Sequence, residues 1–201
     1  MLKVFFDTEF NGLRQDTELI SIGLVTEHGE KFYAEMRSFD VESVEPFVKE
    51  NVIPHCKFIG EFSKTLREHF DIVKSPEHIE LFCAHTKLKY YLELWFKELL
   101  NKHTQPQVKL ISDCMHYDMV LFNNIWGHAM DVPDYINYMP IDICTMFEML
   151  CINPDISRQK FTKLDHTLHN AMNDALLIKA CYEKLIKEFN SHVKRDPALR
   201  N

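Results

Sequence analysis

The chain opens on Leu2-Lys3-Val4-Phe5-Phe6, which reads as a buried strand, and this run passes directly into Asp7-Thr8-Glu9. Side chains two apart on a strand share a face. Asp7 and Glu9 therefore point the same way from the end of an apolar strand. Two carboxylates about 4 Å apart repel by ~4 kcal/mol at an effective dielectric of 20. Such a pair either keeps a proton or shares a cation. The plainer alternative is that both acids fray into a polar turn with Asn11 and Gly12.

Two more strands follow, Leu19–Thr26 and Lys31–Met36, joined by a tight turn at Glu27-His28-Gly29-Glu30. From Glu42 to Ile79 the pattern weakens into short helices and loops, with the best helix over 62–70. Apolar residues at helical spacing (Leu88, Tyr91, Leu92, Trp95, Phe96, Leu99) predict a helix over 88–100. Then come a strand at Val108–Ser112, a helix from about Tyr117 to Trp126, a short strand near 138–141, a helix over 144–151 and a last helix over 170–189. Strands first, then alternating helix and strand, predict an α/β fold with a mixed sheet. Five glycines, eight prolines and no repeat or linker make residues 1–201 read as a single domain.

Two further segments carry isolated acids. In Ser112-Asp113-Cys114-Met115-His116-Tyr117-Asp118, a helix starting near Tyr117 puts Asp118 on one face with Leu121, Phe122 and Ile125. An acid on that apolar stripe is either held by the free amides of the first turn or is a ligand. Asp113, at the strand end, is the rival acid. The last helix buries Ala171, Ala175, Ile178, Tyr182, Leu185 and Phe189, and Asp174 falls inside that stripe, well past a capping position. A bare aspartate there costs several kcal/mol unless it is paired or metal-bound. His169 lies in the loop leading into this helix, free to swing over a metal that Asp174 helps hold. A capping histidine and a lysine-paired aspartate are the alternative.

The three segments fit one chemistry. Two divalent cations held by Asp7, Glu9, Asp118 and Asp174 clamp a scissile phosphate, and His169 near neutral pKa activates water. Four oxygen ligands suit Mg²⁺ or Mn²⁺ better than zinc.

On these residues the chain resembles a known family. Asp7-x-Glu9, Asp118 and His169-x-Ala171-x-x-Asp174-Ala175 are similar to the three motifs of the DEDDh exonucleases of the RNase H-like superfamily. Phe6-Asp7-Thr8-Glu9-Phe10, then Glu18-Leu19-Ile20-Ser21-Ile22-Gly23, and later Tyr117-Asp118 with Ile125-Trp126-Gly127, resemble the ribonuclease AS type of exoribonuclease. The likeness runs end to end, except that about 76–103 is longer than expected and unplaced. The resemblance implies an RNase H-like mixed sheet flanked by helices, two Mg²⁺ or Mn²⁺ ions and 3'-5' release of nucleoside monophosphates. It implies a homodimer, and single-stranded RNA as substrate with a preference for adenylate-containing tails. It also implies that Phe10, Asn11 and Gly12 line the terminal nucleotide.

Composition sets the remaining bounds. A chain with 46% hydrophobic and 26% charged residues is globular rather than disordered. No apolar run approaches the ~20 residues of a membrane span. Asp7 interrupts what would be a signal peptide's apolar region, so a cytoplasmic protein is expected. Six cysteines without a CxxC pair read as reduced thiols. The 11 histidines show no paired spacing of a structural zinc site, although His166 lies near His169 and His116 near Cys114. Position 9 is Glu where an aspartyl-phosphate phosphatase would want Asp. A net charge of −7 excludes a protein that coats long duplexes but not one gripping a few nucleotides at one end. A nonenzymatic nucleic-acid-binding module would show broken motifs and a basic stripe. Single-stranded DNA stays open as the other substrate, because sensing a 2'-hydroxyl needs only one or two contacts.

Overall fold

A computed structural model describes residues 1–38, 44–59, 70–75 and 77–195, with backbone alone for 70–74 and 192–195. Its framework is a seven-stranded sheet. The strands are β1 (Leu2–Phe10), β2 (Leu19–Thr26), β3 (Lys31–Met36), β4 (Phe70–Ser75), β5 (His78–Cys83), β6 (Val108–Ser112) and β7 (Ile141–Asp142). They lie in the order β4-β5-β3-β2-β1-β6-β7. β1 pairs antiparallel with β2, and β2 with β3, whereas β1–β6, β6–β7 and β3–β5 are parallel. The expected mixed sheet flanked by helices is therefore what the chain forms.

The helices are α1 (Pro46–Asn51), α2 (His85–Lys102), α3 (Met115–Asn124), α4 (Ile143–Met149), α5 (Arg158–Thr162) and α6 (Ala171–Arg195). Period-two alternation along β1 sorts its side chains between two cores. Leu2, Val4 and Phe6 join Leu88, Leu92, Trp95, Phe96, Leu121 and Phe122 of α2 and α3 on one face. On the other, Phe5 meets Ile143, Phe147, Phe161, Ala175, Ile178 and Leu185 of α4, α5 and α6. Central β2 is buried along its whole length, as burial on both faces requires.

Several expectations need correcting. β1 runs on to Phe10, so Asp7 and Glu9 lie within the strand and do not fray into a turn. The unplaced stretch near 76–103 supplies β5 and α2. The helix expected over 62–70 lies outside the described residues except for Phe70, which begins β4. Ile79, placed among loops, is inside β5. The strand near 138–141 shrinks to two residues. Phe189 is 48% exposed, because α6 outruns the core it covers, and Cys181 is buried in the stripe instead.

Candidate active site

β1 pairs with β6 only as far as Phe5, opposite Ile111. Beyond that point one edge of β1 has no strand to satisfy it, and a buried N–H there needs another acceptor. Asp118 supplies it. Its Oδ1 accepts from the Thr8 N–H at 3.1 Å and from Thr8 Oγ1 at 2.6 Å, and its Oδ2 accepts from Ser112 Oγ. Asp118 is fully buried as the fourth residue of α3. Neither Thr8 nor Ser112 carries a sequence signature for this role beyond adjacency to the acids and the end of β6.

Asp7 and Glu9 share the Phe5 face of β1, against which α6 packs. Asp7 pairs with Gly23 of β2, and a Cβ on Gly23 would come within 2.4 Å of the Ala171 carbonyl and the Met172 nitrogen. The missing side chain lets the start of α6 descend onto the sheet beside Asp7. Asp174 then reaches the two strand acids: ligand oxygens of Asp7, Glu9 and Asp174 all lie within 4.8 Å of one another. Asp174 follows the capping Asn170 but is still in the first turn of α6 rather than well beyond it, and its Oδ2 accepts the Asn170 N–H at 3.1 Å. The helix begins where Asn170 Oδ1 accepts the Asn173 N–H at 3.2 Å. Two aspartates thus each sit fourth in a helix, near its positive end.

Burial and mutual repulsion strengthen each acid's hold on its proton. Burial, then Asp118, Glu9 and Asp174, raises Asp7 well above the usual carboxylate range. Burial, then Asp174 and Asp118, pushes Glu9 up to about 8. Burial lifts Asp118 to about 7 against the pull of Ser112 and Thr8, and lifts Asp174 to about 7 against the Asn170 N–H. Asp7, Glu9, His169 and Asp174 line one cleft of about 340 Å³ with Thr8, Phe10, Asp113, Cys114, Arg158, Leu168 and Leu177.

His169 precedes the capping residue of α6, in the loop where it was expected, with φ +60°. Its ring meets Phe47 edge-on at 5.4 Å. Burial, and then His55, lowers its pKa, which favours the neutral imidazole. Asp113 is not free to replace Asp118: its Oδ2 accepts from Arg158 Nε at 3.0 Å. Arg158, at the start of α5, also donates to the Pro154 and Ile156 carbonyls and lies over the Phe147 ring. Among the residues expected to contact a terminal nucleotide, Phe10 lines the cleft with its ring stacked on Tyr117 at 5.1 Å. Asn11 and Gly12 are buried away from it. Asn11 Oδ1 accepts from Thr17 Oγ1 and the Glu18 N–H, and Gly12 packs on Glu45.

The sequence profile of the 3'-5' exoribonuclease Rv2179c-like domain matches residues 2–186. The chain belongs to this family. Among relatives of the Rv2179c-like chain are the proteins named 3'-5' exoribonuclease Rv2179c and 3'-5' exoribonuclease MT2234.1, from two strains of Mycobacterium tuberculosis. Each is 42% identical over 174 residues, 87% of this chain and 87% of the relative. The Neurospora crassa Pan2 catalytic unit (protease and nuclease domain) is a similar solved structure, with TM-score 0.49 and 12% identity over 98% of this chain. The Rv2179c-like chain covers 29% of that one's length.

Proposed function

We propose that this chain is a metal-dependent 3'-5' exoribonuclease that removes nucleoside 5'-monophosphates from single-stranded RNA. Family membership supports the activity. The observation that carries the site is the meeting of Asp7, Glu9 and Asp174 from two elements, with Asp118 adjoining through Thr8 and His169 lining the same cleft. Four crowded carboxyls, each raised by burial and by its acidic neighbours, are a donor set that hard oxygen-seeking cations such as Mg²⁺ or Mn²⁺ fit. Asp7, Glu9, Asp118 and Asp174 would hold two such ions. When bound, they supply positive charge to the scissile phosphate and to the departing 3' oxygen.

The chain's own groups do the rest. A neutral His169 takes the proton from the attacking water on a ring nitrogen. Phe10, braced by Tyr117, presents an aromatic face one residue from Glu9, on which a terminal base stacks. Apolar Leu168 and Leu177 narrow the cleft around the reacting end. Adenylate-containing tails are the proposed preference, following the resemblance.

A 5'-labelled oligo(A) should give a descending ladder with Mg²⁺ or Mn²⁺, with AMP released. EDTA should stop the reaction and a 3'-phosphate should block it. His169→Ala should slow turnover by ~10²–10⁴ while metal affinity holds; lost metal binding would make His169 a ligand. Cleavage of a circular single strand would sink the exonuclease reading, and faster digestion of single-stranded DNA would replace RNA as the substrate.

A further inference from the structure

Behind the cleft wall runs a buried polar chain that this chemistry leaves unused. Glu35, on β3 and with no exposed surface, accepts from Tyr33 Oη at 2.6 Å, from the Phe58 N–H at 2.9 Å, from the Ile59 N–H at 2.8 Å and from the Lys57 N–H. Four accepted bonds fill the lone-pair positions of a carboxylate. Burial pushes this carboxyl up while its four donors pull it down. Tyr33 Oη in turn accepts from Asn170 Nδ2 at 3.4 Å, and the same amide group donates to the His55 carbonyl at 2.9 Å.

Asn170 is where this chain meets the site. Its Oδ1 caps α6 and its N–H donates to Asp174 Oδ2. Its Nδ2 ties that helix start to β3 and to the turn at Ile53–His55. The preceding residue is His169, in a left-handed conformation that a non-glycine residue keeps only where its surroundings over-determine it. Asn170 follows His169 in the chain, the Phe47 ring packs against it and His55 is close enough to act on its charge. Glu35 holds the end of the same wall through three consecutive backbone N–H groups. Hydrogen bonds in series inside a protein polarise and rigidify one another. Apolar packing often serves stability as well as a buried acid does, so what this arrangement adds is fixed geometry.

We propose that Glu35, Tyr33 and Asn170 are positioning residues that lock His169 over the acid cluster. This rests on His169 being the proton acceptor. The test is a double-mutant cycle on the full chain, read as kcat and KM on 5'-labelled oligo(A) with Mn²⁺, with folding checked by thermal melting. Tyr33→Phe removes one hydroxyl. Asn170→Ser keeps a hydroxyl able to cap α6 but too short to reach Tyr33. Each should lower kcat about 10- to 100-fold with KM unchanged and melting still cooperative. On a His169→Ala background, Tyr33→Phe should cost nothing further, because there is no imidazole left to misplace. A Tyr33→Phe loss that persists in full without His169 would overturn the positioning role alone, as would full activity of both single variants. Unimpaired turnover by His169→Ala itself would overturn the base assignment.

Discussion

At the scale of single residues, what separates the candidate acids is their partners. Asp113 has Arg158, and Asp118 has the neutral donors Thr8 and Ser112. A carboxylate neutralised by a guanidinium has little charge to offer a cation, whereas one held by hydroxyls keeps it. Asp118→Asn should therefore remove nearly all nuclease activity, while Asp113→Asn should keep most of it. Comparing the two rates at saturating Mn²⁺ decides, and the reverse ranking would put the wrong acid in the site. The raised pKa values also set a direction for stability. Between their ordinary values and about 7 to 8, Glu9, Asp118 and Asp174 carry protons in the folded chain that the unfolded chain has released. Metal-free protein should thus lose stability as pH rises through this window. His169, lowered from 6.5, acts in the opposite direction at and below that pH, so the clean test lies from there up to about 8. In EDTA the melting temperature should fall across that range. Asp174→Asn should flatten the slope, and Mg²⁺ should raise the upper end most; a melting temperature climbing with pH would refute the crowding.

At the scale of elements, the site depends on how closely α6 approaches β2. Gly23 faces backbone, not a side chain that could swing aside, so a methyl group there forces the helix start outward. Gly23→Ala should lower the melting temperature and weaken Mn²⁺ binding together, with titration calorimetry reading the second. Unchanged metal affinity would show that α6 reaches the acids without this contact. This dependence was half legible in the sequence. The spacing of Ala171, Asp174, Ala175 and Ile178 marks the inward face of α6, and Asp7-x-Glu9 marks a shared strand face, because both follow from local periodicity. Gly23 could be quoted in a motif without its reason, since the reason is a neighbour 148 positions away (171 − 23). The same limit hid Arg158. Its pairing with Asp113 crosses 45 positions, and the five residues of α5 are too few to show a period. The segment ahead of Tyr117 misled by two residues for a simpler reason: helix starts are set by capping, and Cys114 offers no side-chain cap to read. β5 went unseen because its register is fixed only by β3 and β4 alongside it.

At the scale of the whole molecule, a net charge of −7 has to coexist with a polyanionic substrate. The acids account for part of the imbalance, and bound cations would cancel that part locally. What remains is a surface with little to draw in a long strand. Among the described residues lining the cleft, Arg158 is the one Lys or Arg, and its Nε is committed to Asp113. The cleft itself, at about 340 Å³, is near the small end of ligand sites, which run from about 300 to 1,000 Å³. Under the proposed function, binding energy comes from the ions, from stacking on Phe10 and from the terminal nucleotide, and few phosphates farther along the strand are neutralised by lysine or arginine. Each phosphate so neutralised contributes about −0.7 to the slope of log affinity against log salt for a single strand. The expected slope of log kcat/KM against log KCl at fixed Mg²⁺ is therefore shallow, about −0.7 to −1.4, corresponding to one or two such contacts. For the same reason kcat/KM should level off after the first few nucleotides of an oligo(A) series. A slope several times steeper, or an efficiency that keeps rising with length, would place a basic track for the upstream strand outside this cleft.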